Sequence, residues 1–264
     1  MRTFLLLVRA GFRRHSTYRL ALLAGTATNS VFGVIRASVL LGAIGSAGTH
    51  IAGYDGPRVL AFVWWGQALL GVVNLWGFQE VGQRVRTGDI AVDFLRPAGP
   101  QLVYLAEDIG RAGVNFLARG LPALLIGALL FDLAWPPGIG SWILGLLSVA
   151  VAVVVAFCGS FIVNLSAFWI VEIRGIRLLW MITTGFLCGL YVPVPWFPDW
   201  LRTFAEWTPF PSMLQHPLDI LSGRVDGAAV WGTLATQLAW AVALVVMAQV
   251  VLQSGRRRLE VQGG

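Results

Sequence analysis

Lysine is absent from this chain: all nineteen of its basic residues are arginine. Without it there is no amine to set against nucleotide phosphates, and no GxxxxGK stretch occurs. Schiff-base chemistry is excluded for the same reason. Charge of either sign is scarce, at 12% of residues against 57% apolar, far from ordinary globular usage. The histidines, His15, His50 and His216, stand far apart, so no metal site is expected. There is no HExxH, no GxSxG and no relay of acids inside an apolar run. The nearest acids, Glu80, Asp132 and Glu172, sit at run ends. Ion-coupled carriers place ionisable groups within their spans, so that mechanism is disfavoured. The two cysteines, Cys158 and Cys188, lie inside apolar runs and read as small core residues rather than ligands or a disulfide.

What the chain does have is apolar runs at about 20–45, 59–79, 113–131, 141–170, 177–193 and 228–252. Each is close to the roughly 20 helical residues that cross a hydrocarbon core about 30 Å thick. Fifteen arginines fall in the stretches 1–19, 81–119, 172–178 and 253–264. Arg58, Arg202 and Arg224 occupy the intervening loops, and Arg36 falls inside a run. Short arginine-rich loops stay cytoplasmic, so six crossings put both termini there. The expected fold is a single all-α integral membrane domain over 1–264 with six transmembrane helices, in the cell membrane. The gaps at 81–112 and 194–227 are too short for a soluble domain. Runs such as Val149–Ala156 do not alternate, which excludes a transmembrane barrel. The net charge of +6 therefore reflects one-sided arginine beside anionic lipid rather than nucleic-acid binding. The run Phe4–Val8 is too short for a signal-peptide core, so no cleaved leader is expected.

Three polar segments carry shape. Residues 1–19 put Arg2, Arg9 and Arg13 on one helical face and Leu5, Val8 and Phe12 on another. This predicts an amphipathic helix in the cytoplasmic interface, the alternative being a frayed terminus. In 81–112, Arg84 and Arg86 extend the second run, and Thr87-Gly88-Asp89 reads as a turn. Ile90 to Leu95, including Asp93 and Phe94, then meets the breaks Arg96-Pro97 and Gly99-Pro100. From Gln101 the residues Leu102, Leu105, Ala106 and Ile109 recur at helical spacing, with Glu107, Asp108 and Arg111 expected to face away. That makes either a structured elbow for a partner or a solvated connector. In 191–226, Pro198–Trp207 is amphipathic: Trp200, Leu201, Phe204 and Trp207 share one face. It predicts a helix in the outer interface, followed by a second over Ser212–Leu221 that forms a partly re-entrant hairpin. Within the runs, Asn29, Gln67, Asn74, Asn115, Asn164, Thr183, Thr184, Gln237 and Gln249 either bond helix to helix or line a route. Arg36, about 13 Å from the outer end of its span at helical rise, requires a polar partner or a wet cavity.

Four pieces together resemble the membrane (permease) subunit of type-2 ATP-binding-cassette (ABC) transporters. Val85-Arg86-Thr87-Gly88-Asp89 through Asp93-Phe94-Leu95-Arg96-Pro97 is similar to the family's loop leading into its coupling helix. Phe168-Trp169 with Glu172-Ile173-Arg174-Gly175 resembles its second cytoplasmic turn. Gly189 through Pro193, then Trp196-Phe197-Pro198-Asp199-Trp200-Leu201 and Pro209-Phe210, resembles its extracellular helices. Arg258 through Gly264 resembles its C-terminal ending, and Ile90-Ala91-Val92 is a departure toward less leucine. The resemblance implies a transport subunit, not an enzyme, that moves a substrate, usually outward. It implies no cofactor in this chain, ATP and Mg being held by a separate ABC ATPase subunit. It also implies a second permease subunit, in a homodimer or heterodimer. The other readings are an ion- or proton-coupled carrier or channel, and a lipid-modifying membrane enzyme.

Overall fold

The computed structural model describes residues 2–17, 19–77, 79–170 and 172–258. Every helix or strand among them is a helix. The chain opens with α1 (Arg2–Ser16), then α2 (Arg19–Ala47), which carries the first apolar run. After a loop comes α3 (Gly56–Leu69), started by the Asp55 side chain accepting from Arg58 N at 2.9 Å and by Pro57 in the first turn. A non-helical stretch leads to α4 (Gln79–Thr87), the short α5 (Ile90–Asp93), α6 (Pro100–Asn115), a π-helical turn over Phe116–Gly120, and α7 (Leu121–Leu130). The longest uninterrupted apolar run forms α8 (Ile139–Leu165), bounded before it by Pro136-Pro137-Gly138 and after it by a 3₁₀ turn over Ser166–Phe168. Then follow α9 (Arg174–Leu187), α10 (Asp199–Glu206), α11 (Phe210–Met213), α12 (Gln215–Leu221) and the closing α13 (Ala229–Arg256).

Among the described residues, four stretches are long and apolar enough to cross a membrane: Ala24–Ala47, Pro100–Leu130, Ile139–Phe168 and Ala229–Arg256. This is a multi-pass membrane protein. The expected runs at 59–79 and 177–193 take another form, each being a helix of 14 residues, α3 and α9. α9 ends just before Gly189, which takes φ +83°, whereas α3 ends at Leu69, and Gly77, at φ +73°, lies further along the non-helical stretch that follows. Conversely, the helix expected from Gln101 and the run at 113–131 are one continuous rod. Its π turn lies one turn before Pro122, which has no N–H to give Ala118 O, and the Thr26 hydroxyl donates to that carbonyl at 3.1 Å instead.

α3 is the centre of the molecule: every residue from Val59 to Leu69 is buried, among α2, α7 and α12. Lipid drives no hydrophobic association between spans, so contact quality and hydrogen bonds decide the packing. α13 lies along α8, joined by Ser148 donating to Gln237 at 2.6 Å, while Gln237 donates to Ser212 O at 2.9 Å. α1 docks on α6. Gly11 and Gly110 bring the two backbones together, since a Cβ on Gly11 would sit 2.6 Å from Glu107 O. Arg14 bridges Glu80 at 3.1 Å and Glu107 at 3.8 Å, while Leu5 and Leu6 stay exposed.

The expected second outer helix over Ser212–Leu221 is two short ones, with Leu214 between them at φ −144°. Pro217 accounts for the restart, because its ring would clash with the Met213 carbonyl in one continuous helix. On α10 and just after it, Trp200, Phe204 and Trp207 are 73%, 57% and 79% exposed, while Leu201 of the same face packs against Leu187, Val194 and Phe197.

Candidate functional site

The elbow is built around a buried carboxylate. Gly88 takes φ +80° and turns the chain from α4 into α5. This brings Asp93 back to Arg84, which donates to it twice, at 2.9 and 3.0 Å, and also to Asp89 O at 3.2 Å. Tyr104, from α6, donates to Asp93 at 2.7 Å, and Arg96 stands 3.7 Å away. Asp93 is only 3% exposed, so with Arg84 it holds the elbow's shape from within. The hydrogen bond to Asp93 also raises the Arg84 pKa above its ordinary value. Arg86, Gly88, Asp89, Leu95, Arg96 and Pro97 are presented outward, Leu95 at 84% exposed. Phe94 lies under the Arg256 guanidinium at 5.3 Å, which ties the elbow to the end of α13. The second turn comes to the same end of the molecule: Glu172 is 3.9 Å from Arg86 and 3.5 Å from Arg174, and accepts from Arg174 N at 3.0 Å. The sequence missed Tyr104 here, since a tyrosine at an apolar-periodic position carries no separate signal.

The two residues Asp108 and Arg111 correct the reading that they face away. Asp108 is fully buried and Arg111 nearly so, paired at 2.6 Å. Arg111 further donates to Gly71 O and, at 2.8 Å, to Val72 O. Those carbonyls lie in the non-helical stretch after α3, where the helical ladder is lost and hydrocarbon offers no substitute. Trp180 donates to Leu75 O there at 3.1 Å.

Beside this stretch opens a cavity of about 600 Å³. Its polar lining is Thr28, Asn29, Arg36, Gln67, Asn74, Arg111, Asn115 and Arg119, and Phe32, Leu70, Leu75, Trp76, Leu190 and Tyr191 complete the wall. The structure thus gathers Arg36, Asn29 and Asn74 along one cavity. Asn29 donates to Gln67 O at 3.2 Å, and Asn115 to Arg111 O at 3.1 Å. In the amide orientation that satisfies both its ends, Gln67 donates to Asn29 O at 3.1 Å and accepts from Arg36 at 3.2 Å. Asn164 is elsewhere: it accepts from Gly82 N at 3.3 Å, a bond from α4 to α8, and donates to Ser160 O of its own helix at 2.8 Å. Arg119 is carried into the cavity by the π turn, and its guanidinium fills the space that a side chain on Gly25 would occupy. In the sequence Arg119 counted only with the arginines of the 81–119 stretch, which gave no hint of that.

The end opposite the elbow is locked by a polar cluster that sequence spacing does not reveal. Asp219 accepts from Tyr54, from Gln215 at 2.7 Å and from Arg224. Gln215 also accepts from Val194 N at 2.9 Å. Among the expected outer residues, Trp196 donates to Ile51 O at 3.2 Å, Phe197 stacks on Phe186 at 5.2 Å, and Phe210 meets Trp180 at 5.5 Å. Pro193 is buried and Pro209 half-buried, whereas Pro198 is exposed beside Trp200.

A spanning bundle with a discontinuous helix, a polar cavity beside the break and a folded elbow at one end fits a transport subunit, and a family comparison decides it. The model of the ABC-2 family transporter proteins matches residues 34–263. The chain belongs to that family. The match runs from within α2 to beyond α13 and so includes the elbow and the cavity lining from Arg36 onward. This makes the chain a transport permease, the membrane component of an ABC transporter, as the motif resemblance implied. No curated protein matches the chain. Cys158 and Cys188 are buried and unpaired in this ABC-2 permease.

Proposed function

We propose that this chain is the membrane subunit of an ATP-driven exporter. It crosses the membrane six times, with α3–α4 and α9 as the two shorter crossings and both termini cytoplasmic. The elbow at 83–100 docks on a separate ABC ATPase, which holds the ATP and Mg, and a second permease subunit completes the route. The observation that carries this reading is the elbow's construction. Asp93, Arg84 and Tyr104 make it rigid, while Leu95 and Arg96 project outward as a contact surface. A rigid lever transmits a push from a closing ATPase to α4, α6 and, through Phe94 and Arg256, to α13. Glu172 and Arg174 extend the same surface.

The experiment expresses this chain with its ATPase subunit and compares the parent with Arg96→Glu and Leu95→Glu. Charge reversal at a contact can cost several kcal/mol. Both variants are expected to reach the membrane at parental levels and to lose ATPase association at least about tenfold, equivalent to about 1.4 kcal/mol. Leu95→Glu separates surface from scaffold, because Leu95 is 84% exposed whereas Arg96 also stands near Asp93. Parental association in both variants would make the elbow a mere connector.

A further inference from the structure

The cavity's charge is unbalanced. Its lining holds three arginines and no carboxylate. Arg111 is answered by Asp108 and by the carbonyls of Gly71 and Val72. Among the described residues, neither Arg36 nor Arg119 has an acid within ion-pair distance. Each also has a buried Nε with no hydrogen-bond partner. An uncompensated cation at this depth costs at least about 2.5 kcal/mol. Both are nevertheless positioned by their surroundings. Gly25 leaves the space for the Arg119 guanidinium, the π turn aims it, and Gln67 takes one Arg36 N–H at 3.2 Å. The amides of Asn29, Asn74 and Asn115 add neutral polar groups around them. The rest of the wall is apolar, and the rim is formed by Phe32, Tyr191 and Trp76, which are 56%, 56% and 48% exposed. Two unanswered guanidiniums deep in a largely apolar pocket complement one kind of molecule. Planar guanidinium forks match phosphate and carboxylate oxygens, and an aromatic and aliphatic rim takes a hydrocarbon body.

We infer that this cavity binds an amphiphile with an anionic head, such as a phosphate, carried on an apolar body. The head sits between Arg36 and Arg119, and the body leaves past Phe32 and Tyr191. The assignment rests on the permease reading and names the substrate class of its cavity.

The test is isothermal titration of the chain in phosphatidylcholine nanodiscs, with octyl phosphate and octyltrimethylammonium as probes and empty discs subtracted. No ATP or ATPase is present, so failure here leaves the coupling account standing, and failure of coupling leaves this result standing. The parent is expected to bind octyl phosphate at least about tenfold more tightly than the cation. Arg36→Gln and Arg119→Gln should each weaken the phosphate about tenfold, with the cation unchanged. The parent's preference needs no variant, so a variant that fails to fold does not rescue the proposal. Repeating the titration in phosphatidylglycerol discs identifies the source of the head group. Competition by the lipid supports the site with a bilayer lipid as its occupant, and undiminished binding supports it with a soluble amphiphile. Equal affinity for anion and cation, or unchanged phosphate affinity in both variants, overturns the inference.

Discussion

Asp93 and Arg111 are the residues on which the two halves of the account turn, and each works by answering groups that the fold would otherwise strand. Asp93 accepts from Arg84 and Tyr104, so replacing it leaves a partly buried guanidinium and a phenol without their acceptor. A hydrogen bond to a charged group contributes about 1.5–3 kcal/mol. Asp93→Asn should therefore loosen the elbow by about that much. Limited trypsin digestion of membranes should cut faster after Arg86 than in the parent, with the protein level unchanged. Parental cleavage would show that the carboxylate does not hold the turn. Arg111 was harder to read from sequence. An acid and an arginine three residues apart look like a solvated helix face, and the carbonyls that Arg111 serves lie 39 and 40 residues away. The Tyr54–Asp219 contact spans 165 residues and is equally invisible to local spacing.

At the scale of elements, legibility followed length and punctuation. α2, α8 and α13 appear close to where their apolar runs predicted them, because only a helix satisfies so long a backbone in lipid. The turn at Gly88, the break at Pro97 and the amphipathic α10 were also legible, since glycine, proline and tryptophan mark them. The break after α3 was not, because Leu70, Val72, Val73 and Leu75 continue the apolar pattern and the satisfying groups come from α6 and α9. Nor was the docking of α1, because an amphipathic helix suits either an interface or a protein surface. That docking yields a prediction. A side chain on Gly110 would overlap the α1 backbone at Val8 and Phe12. Gly110→Val should raise amide exchange across 2–16 at least about tenfold, a local opening cost lowered by about 1.4 kcal/mol. Gly175→Ala, which meets nothing within 4 Å, should leave it unchanged. Equal protection in both would mean that α1 is held by Arg14 and its acids alone.

At the scale of the whole molecule, the two ends have different characters. The arginine-rich end gathers α1, the elbow, the second turn and the end of α13, while the other end carries the Asp219 lock and the exposed tryptophans of α10. The cavity lies between them, beside the non-helical stretch after α3. In this account a push delivered at the elbow reaches the cavity through α6, which carries both Tyr104 and Arg111. In the proposed transporter the elbow lies on the cytoplasmic face and is covered by an ATPase.

The most direct measurement labels single cysteines with an impermeant thiol reagent, in a background where Cys158 and Cys188 are alanine. Asp199→Cys should label in intact cells. Leu95→Cys should label only in inside-out vesicles, and the bound ATPase subunit should protect it. Labelling of Leu95→Cys from outside the cell, or equal labelling with and without the ATPase, would contradict the account.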